Sequence, residues 1–224
     1  MDILQEIKNT AERIGVSDIG FCRVDDGVSG LNNVVSIVVR LSEAIIDEID
    51  KEPTHSYFHH YRTVNAFIDR ALLEIGLVLQ KHGYRYIPIA ASQSINKDGN
   101  NYEGRYSHKK AATSCGLGGI GKNSLFIHKE FGAAVRLGTI FTDCDFKMEK
   151  QQPLDMCIDC DLCVKSCPAM AIKGGKWHEG IKREEIFDPR ACSEYMKKNF
   201  QHIGRGAVCG ICINRCIRKT RDKK

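Results

Sequence analysis

The stretch of sequence that decides the fold is CIDCDLCVKSCP, residues Cys157 to Pro168. Its cysteines follow the spacing C-x2-C-x2-C-x3-C-P, with which a chain ligates [4Fe–4S] clusters. The two-residue gaps allow Cys157, Cys160 and Cys163 to reach one cluster from a single tight loop. Cys167 comes four positions after Cys163, and in chains with two clusters the cysteine at this place ligates the other one. The stretch therefore predicts a second group of cysteines elsewhere in the chain.

That second group is CGICINRC, residues Cys209 to Cys216. It has the spacing C-x2-C-x3-C, one cysteine short of the first run, and Cys192 stands ahead of it and can supply the missing thiolate. We therefore predict two [4Fe–4S] clusters, each with ligands from both runs. The ligands predicted for one cluster are Cys157, Cys160, Cys163 and Cys216. The ligands predicted for the other are Cys167, Cys192, Cys209 and Cys212.

Other uses of these cysteines fit the sequence less well. Structural zinc would take two C-x2-C pairs and leave the rest of the spacing unexplained. Disulfides belong to oxidising compartments, whereas the N-terminal stretch MDILQEIKNTAERIG lacks the basic start and apolar core of a secretory signal. The longest apolar runs, such as Val34–Val39, are too short to span a bilayer. We therefore expect a cytoplasmic protein with no membrane partner.

The 224 residues divide by composition into two predicted domains. Residues 1–150 mix helical and strand patterns, which predicts an α/β domain that holds a cofactor or substrate. After a predicted linker at Met148–Pro153, residues 151–224 form a two-cluster ferredoxin-like module, so the whole fold is α+β. The helices predicted are Asp2–Ile14, Thr63–His82 and Lys109–Cys115. The strands predicted are Asp18–Val24, Asn33–Leu41, Tyr84–Ala90, Ser124–His128 and Ala133–Asp143, with a surface loop over Ser92–Arg105.

A glycine-rich run, GLGGIGKN, occupies residues Gly116 to Asn123. It matches G-x-G-x-x-G, but a dinucleotide-binding fingerprint needs a strand before it and a long helix after it. Here a predicted helix precedes the run and a predicted strand follows it. Its backbone N–H groups and its lysine can still bind an anionic cofactor; the alternative is a tight turn without a ligand. The candidate cofactor-binding residues are Gly116, Gly118, Gly119, Gly121, Lys122 and Asn123.

Three motifs in order along the chain resemble the cobalamin-dependent iron–sulfur reductases, which include the epoxyqueuosine reductases and, more distantly, the reductive dehalogenases. They are GLGGIGKNSL from Gly116, FG-x4-LG-x3-TD from Phe131 and the cysteine run from Cys157. The tract IPIAASQ from Ile87 is similar to a motif of short proteins in the same group. The resemblance implies an N-terminal domain of nitroreductase-like topology that binds cobalamin. It also implies that both clusters feed electrons to the cobalt, with a redox donor such as a ferredoxin or flavodoxin.

In the family, the catalytic acid lies upstream of the glycine-rich run, where Tyr102 stands here with Glu103 beside it. The resemblance therefore implies Tyr102, Glu103 or Tyr106 as the catalytic proton donor; the alternative is that they are polar residues of a surface loop. Full-length epoxyqueuosine reductases continue past the clusters into a helical tRNA-binding region, whereas eight residues follow Cys216 here. A tRNA substrate is therefore not predicted from this sequence.

The sequence thus predicts an iron–sulfur oxidoreductase that passes electrons through two [4Fe–4S] clusters to cobalamin, another cofactor or a small-molecule substrate at the N-terminal domain. Three alternatives stay open. The first is a ferredoxin-like electron-transfer partner of another enzyme or of a corrinoid protein, with no active site of its own. The second is a redox sensor or nucleic-acid binder that uses the basic stretch Cys192–Lys224, where nine Lys or Arg against two acids give a net charge of +7. The third is an epoxyqueuosine reductase whose tRNA contacts come from another chain.

Overall fold

The computed structural model describes the backbone of residues 2–97, 100–158, 160–206 and 208–221, and the side chains of these residues except 96–97, 100–101 and 218–221. It is a mixed α+β structure, as predicted. The helices are α1 (Ile3–Ile14), α2 (Glu43–Asp47), α3 (His55–Lys81), α4 (His108–Ser114), α5 (Leu162–Ser166), α6 (Arg183–Ile186), α7 (Pro189–Asn199) and α8 (Ile211–Arg221). The strands are β1 (Asp18–Val28), β2 (Leu31–Arg40), β3 (Tyr86–Ile89), β4 (Ile95–Lys97), β5 (Asn100–Glu103), β6 (Gly118–Ile120), β7 (Phe126–His128) and β8 (Val135–Thr142).

The chain packs as two units, each of which gathers three stretches of sequence. The first unit consists of Met1–Arg40, Val64–Gly118 and Arg136–Leu154. The second unit consists of Leu41–Thr63, Gly119–Val135 and Asp155–Lys224. The change of unit at Leu154 lies close to the boundary predicted between residues 150 and 151. The predicted division still differs from the observed one, because two stretches from the N-terminal part of the chain pack with the cysteine-bearing module.

A four-stranded sheet in the order β1-β2-β8-β3 forms the centre of the first unit. β1 pairs antiparallel with β2, and β3 pairs antiparallel with β8. β2 is buried along most of its length, as its apolar run predicts. Helix α3 packs closely on β8 at Gly138, which has no side chain. A Cβ added there would lie 2.7 Å from the Ile68 side chain and 3.0 Å from the Leu72 side chain. Pro88 lies in β3 at the edge of the sheet, where a proline is tolerated.

Helix α3 begins at His55, well before the start predicted at Thr63. The Thr54 hydroxyl accepts a hydrogen bond from the Tyr57 N–H at 3.1 Å and so caps the first turn. The first turns, HSYFHHYR, are polar and aromatic, so the apolar period that marks the rest of the helix does not extend into them. Like every other helix in the described ranges, α3 is not long and apolar enough to cross a membrane.

The surface loop predicted over Ser92–Arg105 contains a hairpin instead. β4 and β5 pair antiparallel, with Lys97 opposite Asn100. Asp98 and Gly99, the tip that the prediction placed in a loop, lie outside the described residues. An Asp-Gly pair is a strong hairpin signal, but short polar strands carry no alternating apolar pattern from which to predict them.

In the second unit, the stretch Leu41–Thr63 packs against helix α8, which carries two of the clustered cysteines. The buried Asn214 donates a hydrogen bond from Nδ2 to the carbonyl oxygen of Ile46 at 2.8 Å. The neighbouring Arg215 pairs with Asp50 at 2.6 Å. These contacts explain why a stretch so far from the cysteines in sequence belongs to their unit.

Candidate metal centre

The eight clustered cysteines all lie in the second unit. Two residues with left-handed backbone shape the turns that carry them, Asp161 (φ 53°) at the start of α5 and Gly210 (φ 82°) just before α8. In chain order, the positions are the loop before α5 (Cys157 and Cys160), α5 and its C-cap (Cys163 and Cys167), α7 (Cys192), the turn before α8 (Cys209) and α8 itself (Cys212 and Cys216).

Four of these cysteines line one cavity, which is partly open to solvent. They are Cys157, Cys160, Cys163 and Cys216, the four residues predicted to ligate one cluster. Burial raises the pKa of the Cys216 thiol to about 12, and repulsion from Cys163, Cys157 and Cys160 adds to it. Cys216 therefore lies among the cysteines of the first run, although it belongs to the second run in sequence.

The other four predicted ligands also lie near one another. Burial, followed by repulsion from Cys209 and Cys167, raises the pKa of Cys192 to about 12. Burial is also the main reason why the pKa of Cys209 is raised to about 11, with a contribution from Cys167. The pKa of Cys212 lies well above its usual value because of burial and then of Cys209, Cys192 and Cys167. Cys167 of the first run thus lies among the cysteines of the second run.

The donor chemistry of each group fits a [4Fe–4S] cluster, which takes four cysteine thiolates. Backbone N–H groups are also directed at the sulfurs. The Ala171 nitrogen donates to Cys167 Sγ at 3.4 Å, and the Ile211 N–H donates to Cys209. Hydrogen bonds of this kind help to set the reduction potential of a cluster. Among the described residues, no three His, Cys, Asp or Glu side chains form a group that could hold a single metal ion.

The glycine-rich run passes from one unit to the other. Gly116 and Gly118 belong to the first unit, and Gly119 begins a stretch of the second. The run contains strand β6 and is followed by its partner strand β7. It therefore lacks the long helix that follows a dinucleotide-binding fingerprint. Residues 121–123 line the cysteine cavity. Three of the six cofactor-binding candidates, Gly121, Lys122 and Asn123, are therefore neighbours of predicted cluster ligands.

Lys122 makes an ion pair in the wall of this cavity, with its Nζ 2.7 Å from Asp161 Oδ1. Both residues line the cavity. The sequence carries no signal for Asp161, because an aspartate between two cysteines of such a run has no spacing of its own. Only the fold, which brings residues 122 and 161 together, identifies the pair.

The candidate proton donors lie in the first unit, within β5 and just after it. Tyr102 and Glu103 end that strand, and Glu103 is exposed. The half-buried Tyr106 donates its hydroxyl proton to Asp26 Oδ1 at 3.0 Å, and Lys110 pairs with the other carboxylate oxygen of Asp26. Burial, followed by the charge of Asp26, raises the pKa of Tyr106 far above its usual value, so its hydroxyl keeps its proton. The sequence carries no signal for Asp26 or Lys110, which meet Tyr106 only through the fold.

The three remaining cysteines, Cys22, Cys115 and Cys144, are buried in the first unit, as expected for small apolar side chains. The sulfurs of Cys22 and Cys115 are 3.1 Å apart, longer than a disulfide bond of about 2.05 Å, so both are free thiols.

His108, also in the first unit, contacts the Thr139 hydroxyl at 2.8 Å, and burial lowers its pKa. These contacts give His108 a structural role.

The basic stretch predicted over Cys192–Lys224 is only partly described. Residues 222–224 and the side chains of residues 218–221 lie outside the described residues. Arg215 of this stretch is engaged within the second unit through its ion pair with Asp50.

Comparison with known proteins identifies an iron–sulfur domain and two groups of relatives. The family model "4Fe-4S binding domain" matches residues 153–173. An epoxyqueuosine reductase of Lactococcus garvieae is 42% identical over 64 residues, which cover 28% of this chain and 18% of that protein. The epoxyqueuosine reductase of Vibrio cholerae is 26% identical over 159 residues, which cover 68% of this chain and 37% of that protein. The chain thus contains a 4Fe–4S binding domain and matches only part of the length of these relatives.

Solved structures show a similar fold. A catabolic reductive dehalogenase superposes with a TM-score of 0.72 at 16% identity, over 94% of this chain and 31% of that chain. The epoxyqueuosine reductase from Streptococcus thermophilus superposes with a TM-score of 0.57 at 21% identity, over 96% of this chain and 66% of that chain. A further reductive dehalogenase, also with a TM-score of 0.72, is described in connection with B12-dependent dehalogenation. The resemblance predicted from the motifs is therefore confirmed.

Proposed function

We propose that this chain is an iron–sulfur oxidoreductase, similar to the epoxyqueuosine reductases, that passes electrons through two [4Fe–4S] clusters to an acceptor bound by its first unit. One observation above all supports the proposal. Cys216 lies with the cysteines of the first run, and Cys167 lies with those of the second. The first cluster would be ligated by Cys157, Cys160, Cys163 and Cys216. The second cluster would be ligated by Cys167, Cys192, Cys209 and Cys212.

Because Cys216 would ligate the first cluster and Cys167 the second, the two clusters would lie close together. Cys163 of the first group also contributes to the raised pKa of Cys212 in the second, so the two groups adjoin. When bound, [4Fe–4S] clusters supply one-electron transfer. The chain contributes the thiolates, the N–H groups directed at their sulfurs and a buried helix face at Ile213 and Ile217 that keeps water from α8. Such an arrangement suits the transfer of electrons from one cluster to the other.

Electrons would enter at the first cluster, because the cavity lined by its cysteines is partly open to solvent. The donor that we propose is a small redox protein such as a ferredoxin or flavodoxin. The second cluster would then pass the electrons on. The sheet and helices of the first unit would provide the binding domain for the acceptor, which we propose to have nitroreductase-like topology.

Cobalamin is the acceptor that we propose, on the strength of the similarity to epoxyqueuosine reductases and to a dehalogenase described as B12-dependent. The proton donor that we propose is Tyr106, with Tyr102 and Glu103 as the other candidates. Tyr106 is favoured by its contacts, since its hydroxyl is held by Asp26, which Lys110 in turn pairs with. Burial and the charge of Asp26 keep the hydroxyl protonated. This first-unit site would bind the acceptor, orient it and supply hydrogen bonds.

Binding of a corrinoid tests the proposed acceptor. The anaerobically purified chain would be dialysed against hydroxocobalamin and then reduced through flavodoxin, with visible spectra recorded at each step. In the wild type, we expect the corrinoid bands to stay with the protein and to change on reduction. In Cys157→Ser, which loses a proposed cluster ligand, we expect no change of these bands on reduction. Retention of clusters without any binding of corrinoid would contradict the proposed acceptor. That result would favour the electron-transfer partner with no active site of its own.

A further inference from the structure

The lysine of the glycine-rich run lies beside a predicted cluster ligand set and not in an open anion site. We propose that the ion pair of Lys122 and Asp161 sets the reduction potential of the first cluster. The inference rests on the proposed function, because it concerns the cluster that Cys157, Cys160, Cys163 and Cys216 would ligate. It assigns to Lys122 a positioning and electrostatic role in the second unit instead of a contact with an anionic cofactor.

The turn that presents Lys122 is held firmly by its own hydrogen bonds. Gly121 and Leu125 are joined by a backbone bond of 2.9 Å, and the Ser124 N–H donates to the Gly121 carbonyl at 2.8 Å. The Asn123 side chain accepts a hydrogen bond from the Leu125 N–H at 3.1 Å. A Cβ at Gly121 would lie 2.7 Å from the Cδ1 atom of Ile127, so a larger residue there would displace that side chain. The turn therefore fixes the backbone from which Lys122 extends.

The two charged side chains of the pair differ in their exposure to solvent. The Lys122 side chain is 11% exposed, whereas the Asp161 side chain is 46% exposed. A charge withdrawn from water interacts more strongly with its neighbours than an exposed one. The ammonium group therefore acts on the cavity more strongly than the carboxylate, which solvent partly screens.

The sign of the effect follows from the charge of the cluster. A [4Fe–4S] core with four thiolates is negative, and reduction adds one more negative charge. The cation of Lys122 stabilises the reduced form more than the oxidised form and so raises the potential. The carboxylate of Asp161, one residue after Cys160, has the opposite effect. Loss of the Lys122 charge should therefore lower the potential, and loss of the Asp161 charge should raise it.

A purely structural ion pair predicts a different outcome. If Lys122 and Asp161 only hold the turn to the cysteine loop, then loss of either charge breaks the same contact. Both variants would then weaken the loop alike, and neither would show a potential shift with the sign of the charge removed. Opposite shifts thus distinguish the electrostatic role from the structural one.

The experiment is an anaerobic redox titration of the full chain, followed by EPR, on Lys122→Met, Asp161→Asn and Lys122→Arg. Methionine is unbranched and adapts to the space that the lysine stem occupies, and asparagine tolerates the left-handed backbone of residue 161. The matched control is Arg183→Gln, which removes a charge from the Arg183–Glu184 pair of α6, away from the cavity lining in the same unit.

At a fixed potential, we expect the ratio of reduced to oxidised first cluster to fall by about three- to tenfold in Lys122→Met and to rise in Asp161→Asn. A tenfold change corresponds to about 59 mV for one electron. Lys122→Arg and Arg183→Gln should stay close to the wild type, and only one of the two midpoint potentials should move.

Three results would overturn the inference: unchanged potentials in both charge-removing variants, shifts of the same sign in both, or loss of the first cluster in both. An equal shift in Arg183→Gln would also overturn it, because the effect would then not belong to the cavity. Iron and sulfide content, measured on the same samples, separates this failure from failure of the proposed function. A wild type without clusters refutes the proposed function, whereas intact clusters with unshifted potentials refute only the role of the ion pair.

Discussion

Two of the lysine–aspartate ion pairs among the described residues lie in different surroundings. Lys122 and Asp161 line the cysteine cavity of the second unit. In the first unit, Lys110 and Asp26 pair beside the hydroxyl of Tyr106. The pKa of Asp26 is affected first by burial, which raises it, but hydrogen bonds from Lys110 and Tyr106 outweigh burial and lower it. Asp26 is thus an anion at neutral pH, and it holds the Tyr106 hydroxyl as a donor.

Titration of Tyr106 provides a prediction at this scale. Because burial and the charge of Asp26 raise its pKa, the hydroxyl should stay protonated where an ordinary tyrosine, with a pKa of about 10, ionises. The rise of tyrosinate absorbance between about pH 9 and 11 should therefore be equal in the wild type and in Tyr106→Phe. In Asp26→Asn the carboxylate charge is gone, so Tyr106 should ionise at lower pH than in the wild type. A smaller absorbance rise in Tyr106→Phe would show that Tyr106 titrates normally.

At the scale of elements, the stretch Leu41–Thr63 supports the helix that carries Cys212 and Cys216. The contact depends on one residue without a side chain. Gly210 has a φ of 82°, and a Cβ at this position would lie 2.7 Å from the Tyr57 ring and 2.8 Å from the Ile49 side chain. Helix α8 can therefore approach this stretch only because residue 210 is glycine.

Substitution of Gly210 by alanine tests this approach. Gly210→Ala should lower the iron content, because the turn between Cys209 and Cys212 must move to relieve the clash. Gly180→Ala is the matched control, since Gly180 also has positive φ (89°) but has open space around its Cα. Both variants bear the strain of a left-handed alanine, about 1–2 kcal/mol. Equal iron content in the two variants would contradict the role of close packing at Gly210.

The hydrogen bond from Asn214 to the Ile46 carbonyl offers a second test of the same contact. Asn214→Ala removes one donor from the Ile46 carbonyl, which keeps the Ile49 N–H, so the second unit should lose the net contribution of one hydrogen bond, about 0.5–1.5 kcal/mol. The urea concentration at which cluster absorbance disappears should fall accordingly. Asn199→Ala, which removes only a bond to Tyr195 within α7, should have a smaller effect. A larger loss in Asn199→Ala than in Asn214→Ala would contradict the account.

The sequence predicts most helices and strands of the first unit. It predicts only in part which stretches of the chain make up the second unit. Apolar periods reveal α1 and β2, because their buried residues face a core. No period reveals the start of α3, whose first turn depends on the Thr54 cap, or β4 and β5, which are short and polar. The spacing of cysteines predicts their grouping, but the pairing of Lys122 with Asp161 depends on two turns meeting in space, which no local pattern encodes.

At the scale of the whole molecule, the two groups of cysteines form the functional centre that we propose. Each group draws members from both cysteine runs, so α5 and α8, which pack together, would be joined through shared clusters. Loss of one ligand should then affect the cluster to which it belongs in space and not the run to which it belongs in sequence. The chain contains a 4Fe–4S binding domain at residues 153–173, and under the proposed function the second run would add the ligands of a second cluster.

Serine variants of the exchanged ligands test this crossing. Cys216→Ser should remove or alter the same EPR signal as Cys157→Ser, although the two residues lie in different runs. Cys167→Ser should alter the other signal, together with Cys209→Ser. If Cys216→Ser and Cys209→Ser changed one signal together, each run would ligate its own cluster and the proposed exchange would be wrong.

The most direct test of the central claim is the amount of iron and acid-labile sulfide per chain after strictly anaerobic purification. Two [4Fe–4S] clusters require about eight atoms of each, and the account predicts that result together with the broad visible absorption of the clusters. About four of each would mean a single cluster, and zinc without sulfide would mean structural metal sites. Either result would contradict the claim that both groups of cysteines ligate iron–sulfur clusters.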